Sequence, residues 1–151
     1  MTTLYAVIDD KLVLDDFRHL VELVESPKDF YREAGEALLI STRERIQRGV
    51  TPTGEKFTPL EPSYAARKLK KVGNRPILEY DLHMAGDRFD YSVDDEGLLI
   101  ESKTPYARAQ QFGFPDLNIP ARPWLGLSDD DLKHLKSILS EHLLDAVRHR
   151  F

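Results

Sequence analysis

From Lys28 to Arg48 the chain runs without a proline between two punctuation marks, Ser26-Pro27 in front and Gly49 behind. Ser26 suits a helix cap, Pro27 the first helical position and Asp29 the acidic first turn, so the pattern predicts one helix over 27–48 closed by Gly49. Phe30, Ala34, Ala37, Leu38 and Ile46 give it one apolar stripe. Its length, roughly 33 Å, is about the width of the domain that 151 residues can make. Everything else must pack around it.

The other elements are placed by the same signals. Thr3 to Ile8 reads as a strand, and Asp15 to Glu25 as a helix with Phe17, Leu20, Val21 and Val24 inward. Pro52, Gly54, Pro59 and Pro62 make 50–62 a loop, with Phe57 and Leu60 as its apolar anchors. A helix comes next over 63–72, stopped by Gly73, and 77–84 reads as a helical or turn segment. Phe89, Tyr91 and Val93 alternate with polar residues, so Arg88–Val93 and Leu98–Ser102 form a hairpin around Asp94-Asp95-Glu96-Gly97. Pro105 to Gln111 suits a short helix ended by Gly113, and Pro115, Pro120 and Pro123 break the 114–123 stretch. The last helix has Ser128 as its cap, Asp129, Asp130 and Asp131 at the positive end of the dipole, and Leu132, Leu135, Leu139, Leu143 and Val147 as its stripe. The pattern predicts one α+β domain over 1–151, a small antiparallel sheet packed on the long central helix with flanking N- and C-terminal helices.

Composition excludes classes more than it names one. At this size a chain buries about 68–70% of its unfolded surface, so no staple is needed for a stable core. There is no cysteine, which removes disulfide scaffolds, zinc ribbons, Fe–S ligation and thiol chemistry and fits a reducing compartment. Apolar runs such as Ala37-Leu38-Leu39-Ile40 are far shorter than the roughly 20 residues of a membrane span. Met1-Thr2-Thr3-Leu4-Tyr5 has neither a basic nor an apolar leader region, so the cytoplasm is the expected compartment. A net charge of −5 argues against a general nucleic-acid binder.

Candidate chemistry is sparse. His19, His83, His134, His142 and His149 show no ligand spacing, and His134 and His142 are about 12 Å of helical rise apart, too far to share a metal. Asp129–Asp131 lacks the alternate-position spacing of a calcium loop. No phosphate cradle or nucleophile elbow is present. The expectation is a protein with no catalytic residue, cofactor or metal, although a small hydrolase with a dispersed site leaves no local signature. Arg67, Lys68, Lys70, Lys71 and Arg75 form a basic run whose ordinary reading is a solvated face; the other is a patch for phosphate or a partner, the basis of an alternative role as a nucleic-acid-binding accessory factor.

Two segments carry more. Gly49 to Leu60 is a long loop between helices, and Tyr106 to Ser128 gathers the one tryptophan, Arg122 between prolines, and several apolar residues. Loops of this length are usually functional, and Trp, Tyr and Arg dominate protein interfaces; the alternative is that Trp124 and Leu125 cover the core. The candidate interface is therefore Gly49, Pro52, Gly54, Phe57, Leu60, Tyr106, Gln110, Phe112, Gly113, Pro120, Arg122, Pro123, Trp124 and Leu125.

At these residues the chain resembles the phage virion morphogenesis family of tail-completion proteins. The likeness rests on the Gly-x-x-Pro-x-Gly loop at Gly49, Pro52 and Gly54 with Phe57 and Leu60, on Tyr106-Ala-Arg-Ala-Gln-Gln-Phe-Gly113, and on Ile119-Pro-Ala-Arg-Pro-Trp-Leu-Gly-Leu-Ser128. It extends over about 30–150. Gln110 stands where the family has His, Phe57 where it has Trp, Trp124 where it has Phe, and Tyr80-Asp81 where it has Thr-Gly. The resemblance implies a structural, non-enzymatic subunit of the virion's tail–head junction, assembled in the host cytoplasm. It would form a homo-oligomeric ring, commonly sixfold, against the tail tube protein and the head–tail connector. It implies no membrane partner. Six copies would gather about −30 of formal charge, letting DNA pass the lumen without specific binding.

Overall fold

The computed structural model describes the backbone at 4–5 and residues 19–24 and 26–150. In chain order it contains strand β1 (Leu4–Tyr5), helix α1 (Pro27–Arg48), helix α2 (Pro62–Val72), strands β2 (Phe89–Val93) and β3 (Leu98–Ser102), helix α3 (Ala107–Phe112), a 3-10 turn (Pro115–Leu117) and helix α4 (Asp129–Arg150). The class is α+β. The sheet is antiparallel with order β1-β3-β2. Beyond Leu4–Tyr5, the expected 3–8 strand lies outside the described residues. Of the expected 15–25 helix, 19–22 is helical, with Val21 and Val24 buried; Leu20 is exposed, and Phe17 lies outside the described residues.

Helix α1 ends as its sequence requires, with Gly49 at φ 70° donating its N–H to the carbonyls of Arg45 and Ile46. Its start differs. The Ser26 side chain makes no capping bond; the Ser26 carbonyl accepts from the amides of Asp29 and Phe30. The helix also buries two faces where one stripe was expected. Phe30, Ala34 and Leu38 pack with Leu135, Ile138 and Leu139 of α4, while Leu39 and Ile46 join Phe57, Met84, Phe89 and Trp124 in a second core. Gly35 lets the helix approach the sheet: a Cβ there would sit 2.5 Å from the Tyr91 ring.

The hairpin pairs Phe89 with Ser102 through to Val93 with Leu98, and Asp94 closes its turn by accepting from the amides of Glu96 and Gly97. Helix α4 opens on a reciprocal cap. Ser128 Oγ accepts from the Asp131 amide at 3.0 Å, and Asp131 Oδ2 accepts from the Ser128 amide at 2.9 Å. The buried face of α4 is Leu135, Ile138, Leu139 and Ala146; Val147, expected inward, is 54% exposed. Residues 77–84 are turns. No helix among the described residues is long and apolar enough to cross a membrane.

Candidate functional site

The two loop segments singled out by sequence meet at one junction. In the first, Gly49 turns the chain out of α1, the Thr51 amide donates to the Glu55 carbonyl at 2.8 Å, and the Phe57 amide returns to the Gly49 carbonyl at 2.8 Å. The loop is thus a closed ribbon whose tip is Gly54, at φ 89°. Phe57, at its base, is buried in the core.

In the second segment, Trp124 is fully buried. Its ring meets Phe89 edge-on, with centroids 5.5 Å apart, and its Nε1 donates to the Ala107 carbonyl at 3.3 Å. Gln111 clips the strand-like 123–125 stretch to α3: Oε1 accepts from the amides of Trp124 and Leu125, and Nε2 donates to the Leu125 carbonyl. Arg122 ties the segments together, donating from Nε to the Thr58 carbonyl at 2.7 Å, from Nη2 to the Pro59 carbonyl at 3.0 Å and from Nη1 to Gln110 Oε1 at 3.2 Å. Gly113, at φ 78°, has no room for a Cβ, which would lie 3.0 Å from both the Ala121 nitrogen and the Ile119 oxygen.

This corrects part of the expected interface. Phe57, Arg122, Trp124 and Leu125 are buried within the subunit, where they fix its loops. They are too fully enclosed by their own chain to offer surface to another. Gly54, Phe112, Pro120 and Pro123 are exposed, and Gly49, Pro52, Leu60, Tyr106, Gln110 and Gly113 are half-buried. Phe112, Phe114 and Leu117 project together from the 112–119 loop, at 64%, 43% and 66% exposure, and the Arg108 guanidinium lies 6.0 Å from the Phe112 ring centre.

The basic run also divides. Arg67, Lys70 and Lys71 face outward, but Lys68 is buried and its ammonium donates to the carbonyls of Arg75, Pro76 and Ile77. Arg75 turns back to the Tyr80 carbonyl at 2.7 Å. Neither belongs to a solvated patch, because the 75–80 turn exposes carbonyls that no helix or strand satisfies. Beside them Glu79 is buried: Oε1 accepts from the Ala85 amide at 2.7 Å, and Oε2 has no partner. Burial pushes the Glu79 carboxyl up, with neighbouring Asp81 adding to the effect. Asp81 accepts from the Tyr106 hydroxyl at 2.5 Å, and burial together with that bond drives the Tyr106 phenol well above its usual range.

A second buried charge site joins α1 to α4. Arg45 Nη1 meets Asp131 Oδ2 at 2.7 Å and Ser41 Oγ at 2.8 Å, and Nη2 reaches the Gly126 carbonyl at 2.8 Å. Ser41 also donates to Asp131. Burial raises the Asp131 carboxyl, but the Ser128 amide, the Ser41 hydroxyl and Arg45 outweigh it and hold the group below the usual carboxylate range. Asp131 therefore does more than complement a helix dipole.

Sequence reasoning missed Gln111, Glu79 and the Arg45–Asp131 pair. Only the last had a legible trace, the Ser128-x-x-Asp131 capping pattern. No cluster of three or more His, Asp or Glu among the described residues is arranged to hold a metal.

At this junction arginine, glutamine and tryptophan are committed to loop backbone, on a small sheet-and-helix scaffold. The chain belongs to the phage virion morphogenesis family, whose model matches residues 8–144, and its role lies in the assembly of phage virions. It is 26% identical over 143 residues to the Mu-like prophage FluMu G protein 1 of Haemophilus influenzae, covering 93% of this chain and 94% of that one. It is also 31% identical over 105 residues to an uncharacterized protein of Methanocaldococcus jannaschii, covering 67% and 77% respectively. No solved structure matches it.

Proposed function

We propose that this protein completes the phage tail and joins it to the head connector as a ring-forming subunit, sixfold in the assembled virion, acting by recognition and steric termination without bond chemistry. The observation that supports this most is the loop junction, where Arg122 bridges residues 58–59 and 110 beside a 112–119 segment whose Phe112, Phe114 and Leu117 are in solvent. Exposed large apolar groups on a braced loop suit a surface covered in assembly. The likeness to a Mu-like prophage protein over nearly the whole of both chains points the same way.

In such a ring each copy presents two different edges, a heterologous contact that closes. A chain of net charge −5 lines a lumen through which DNA passes by like-charge repulsion. Electron microscopy of the purified protein, alone and with tail tubes, tests the reading. Discrete rings seated at one tube end are expected, and monomers that ignore tubes would sink it.

A further inference from the structure

In helix α2 the side-chain pattern and the burial disagree. Ala65, Leu69 and Val72 lie along one flank and Tyr64, Arg67 and Lys71 along the other, the pattern of a helix with an apolar side to cover. Yet its one buried residue is Lys68, held beneath by three carbonyls. Leu69 is 59% exposed and Tyr64 40%. Arg67, Lys70 and Lys71 make no ion pair among the described residues. Three cations without an ion pair among the described residues, one of them, Arg67, 5.9 Å from the Tyr64 ring centre, in a chain of net charge −5, form a surface that calls for an acidic partner. The exposed leucine and tyrosine favour a protein over a nucleic acid.

The chain carries such a surface itself. Among the described residues several carboxylates are engaged: Asp94 closes its own turn, Asp95 meets Lys28 at 2.9 Å, and Asp81 and Asp87 serve Tyr106 and His83. Asp129 and Asp130, in the first turn of α4, are adjacent and exposed, and neither has an ion pair or a side-chain hydrogen bond among the described residues. We propose that the outer face of α2, with Arg67, Lys70 and Lys71, docks on the Asp129–Asp130 turn of a second copy of this chain. The proposal rests on the ring reading and deepens it by naming the two edges, one on α2 and one on α4. Because the edges differ, each copy uses one on each neighbour.

The chain has no cysteine, so a Lys70→Cys/Asp130→Cys double variant tests the contact under mild oxidation. A ladder of disulfide-linked copies is expected, with at most dimers from either single variant. Charge reversal gives a second readout. Arg67→Glu/Lys70→Glu/Lys71→Glu and Asp129→Lys/Asp130→Lys should each weaken assembly at least ~10-fold in sedimentation velocity at low salt while melting like the parent protein. Mixed in equal amounts, the two variants should assemble again with unlike copies alternating, because every contact between them pairs an acidic edge with a basic one. If the parent protein assembles and both reversals leave assembly unchanged, the docking is overturned while the ring reading stands. A parent protein that stays monomeric at its highest soluble concentration overturns both. Loss of salt-dependent duplex DNA binding in the triple variant, with assembly intact, makes α2 a nucleic-acid surface and ends the proposal.

Discussion

Besides Arg122 at the loop junction, two places in this domain bury charge, and they do it differently. Between α1 and α4, Arg45 and Asp131 touch at 2.7 Å, and serine, backbone amide and carbonyl partners satisfy most of what remains. Beneath α2, Lys68 and Glu79 are also buried, but they form no ion pair; the ammonium serves three carbonyls and the carboxyl one amide. The first site joins two helices through a charge pair. The second uses single charges to hold irregular backbone; among the described residues each site leaves one buried atom without a partner, Arg45 Nε in the first and Glu79 Oε2 in the second. Opposite signs in one core do not guarantee a salt bridge, because unsatisfied turn carbonyls compete for the cation.

The contrast can be broken most severely at Arg45. Arg45→Met leaves Asp131 buried without its cation and should cost about 3–5 kcal/mol, seen as a large fall in the midpoint of urea unfolding. Arg45→Met/Asp131→Leu should recover most of that loss, since removing both charges removes the desolvation cost as well. Lys68→Met should cost less, about 2 kcal/mol, because the lost partners are neutral carbonyls that water can reach once the turn loosens. Hydrogen exchange should show that loss concentrated in α2 and the 75–80 turn.

The pH dependence of the two sites has opposite sign. Glu79 has a folded-state value above its ordinary 4.5, so its contribution is full below that value and is lost as pH rises through the folded one. Glu79→Gln should therefore melt higher than the parent protein at neutral pH, and the gap should close as pH falls toward 4.5. Asp131 lies below its ordinary 3.8, so its contribution is present above that value and is lost as pH falls through the folded one. Asp131→Asn leaves Arg45 buried without its anion, so it should melt lower than the parent protein at neutral pH, and without the carboxyl the acid limb of the melting profile should flatten.

The regular elements were legible because their signals are local. Pro27 and Gly49 bracket α1, the alternation of Phe89, Tyr91 and Val93 gives the hairpin, and Ser128 with three aspartates opens α4. What was not legible is long-range. Arg122 reaches a carbonyl 64 positions away, and Arg45 reaches Asp131 across 86. No spacing in the sequence announces such a pairing. Leu39, one position off the expected stripe of α1, belongs to the second core because that helix is covered on two sides. The tryptophan and arginine of the second loop carry the composition of an interface, but here the same residue types anchor loops. Residue type alone does not separate the two uses.

Helix α1 is the wall shared by both cores, and this makes the domain one thermodynamic unit. A helix of this length is only marginally stable alone in water, so neither core can be lost while the other keeps its wall. A partner that bound the loops in the native state alone would then stabilise the last turns of α4 as well, by mass action.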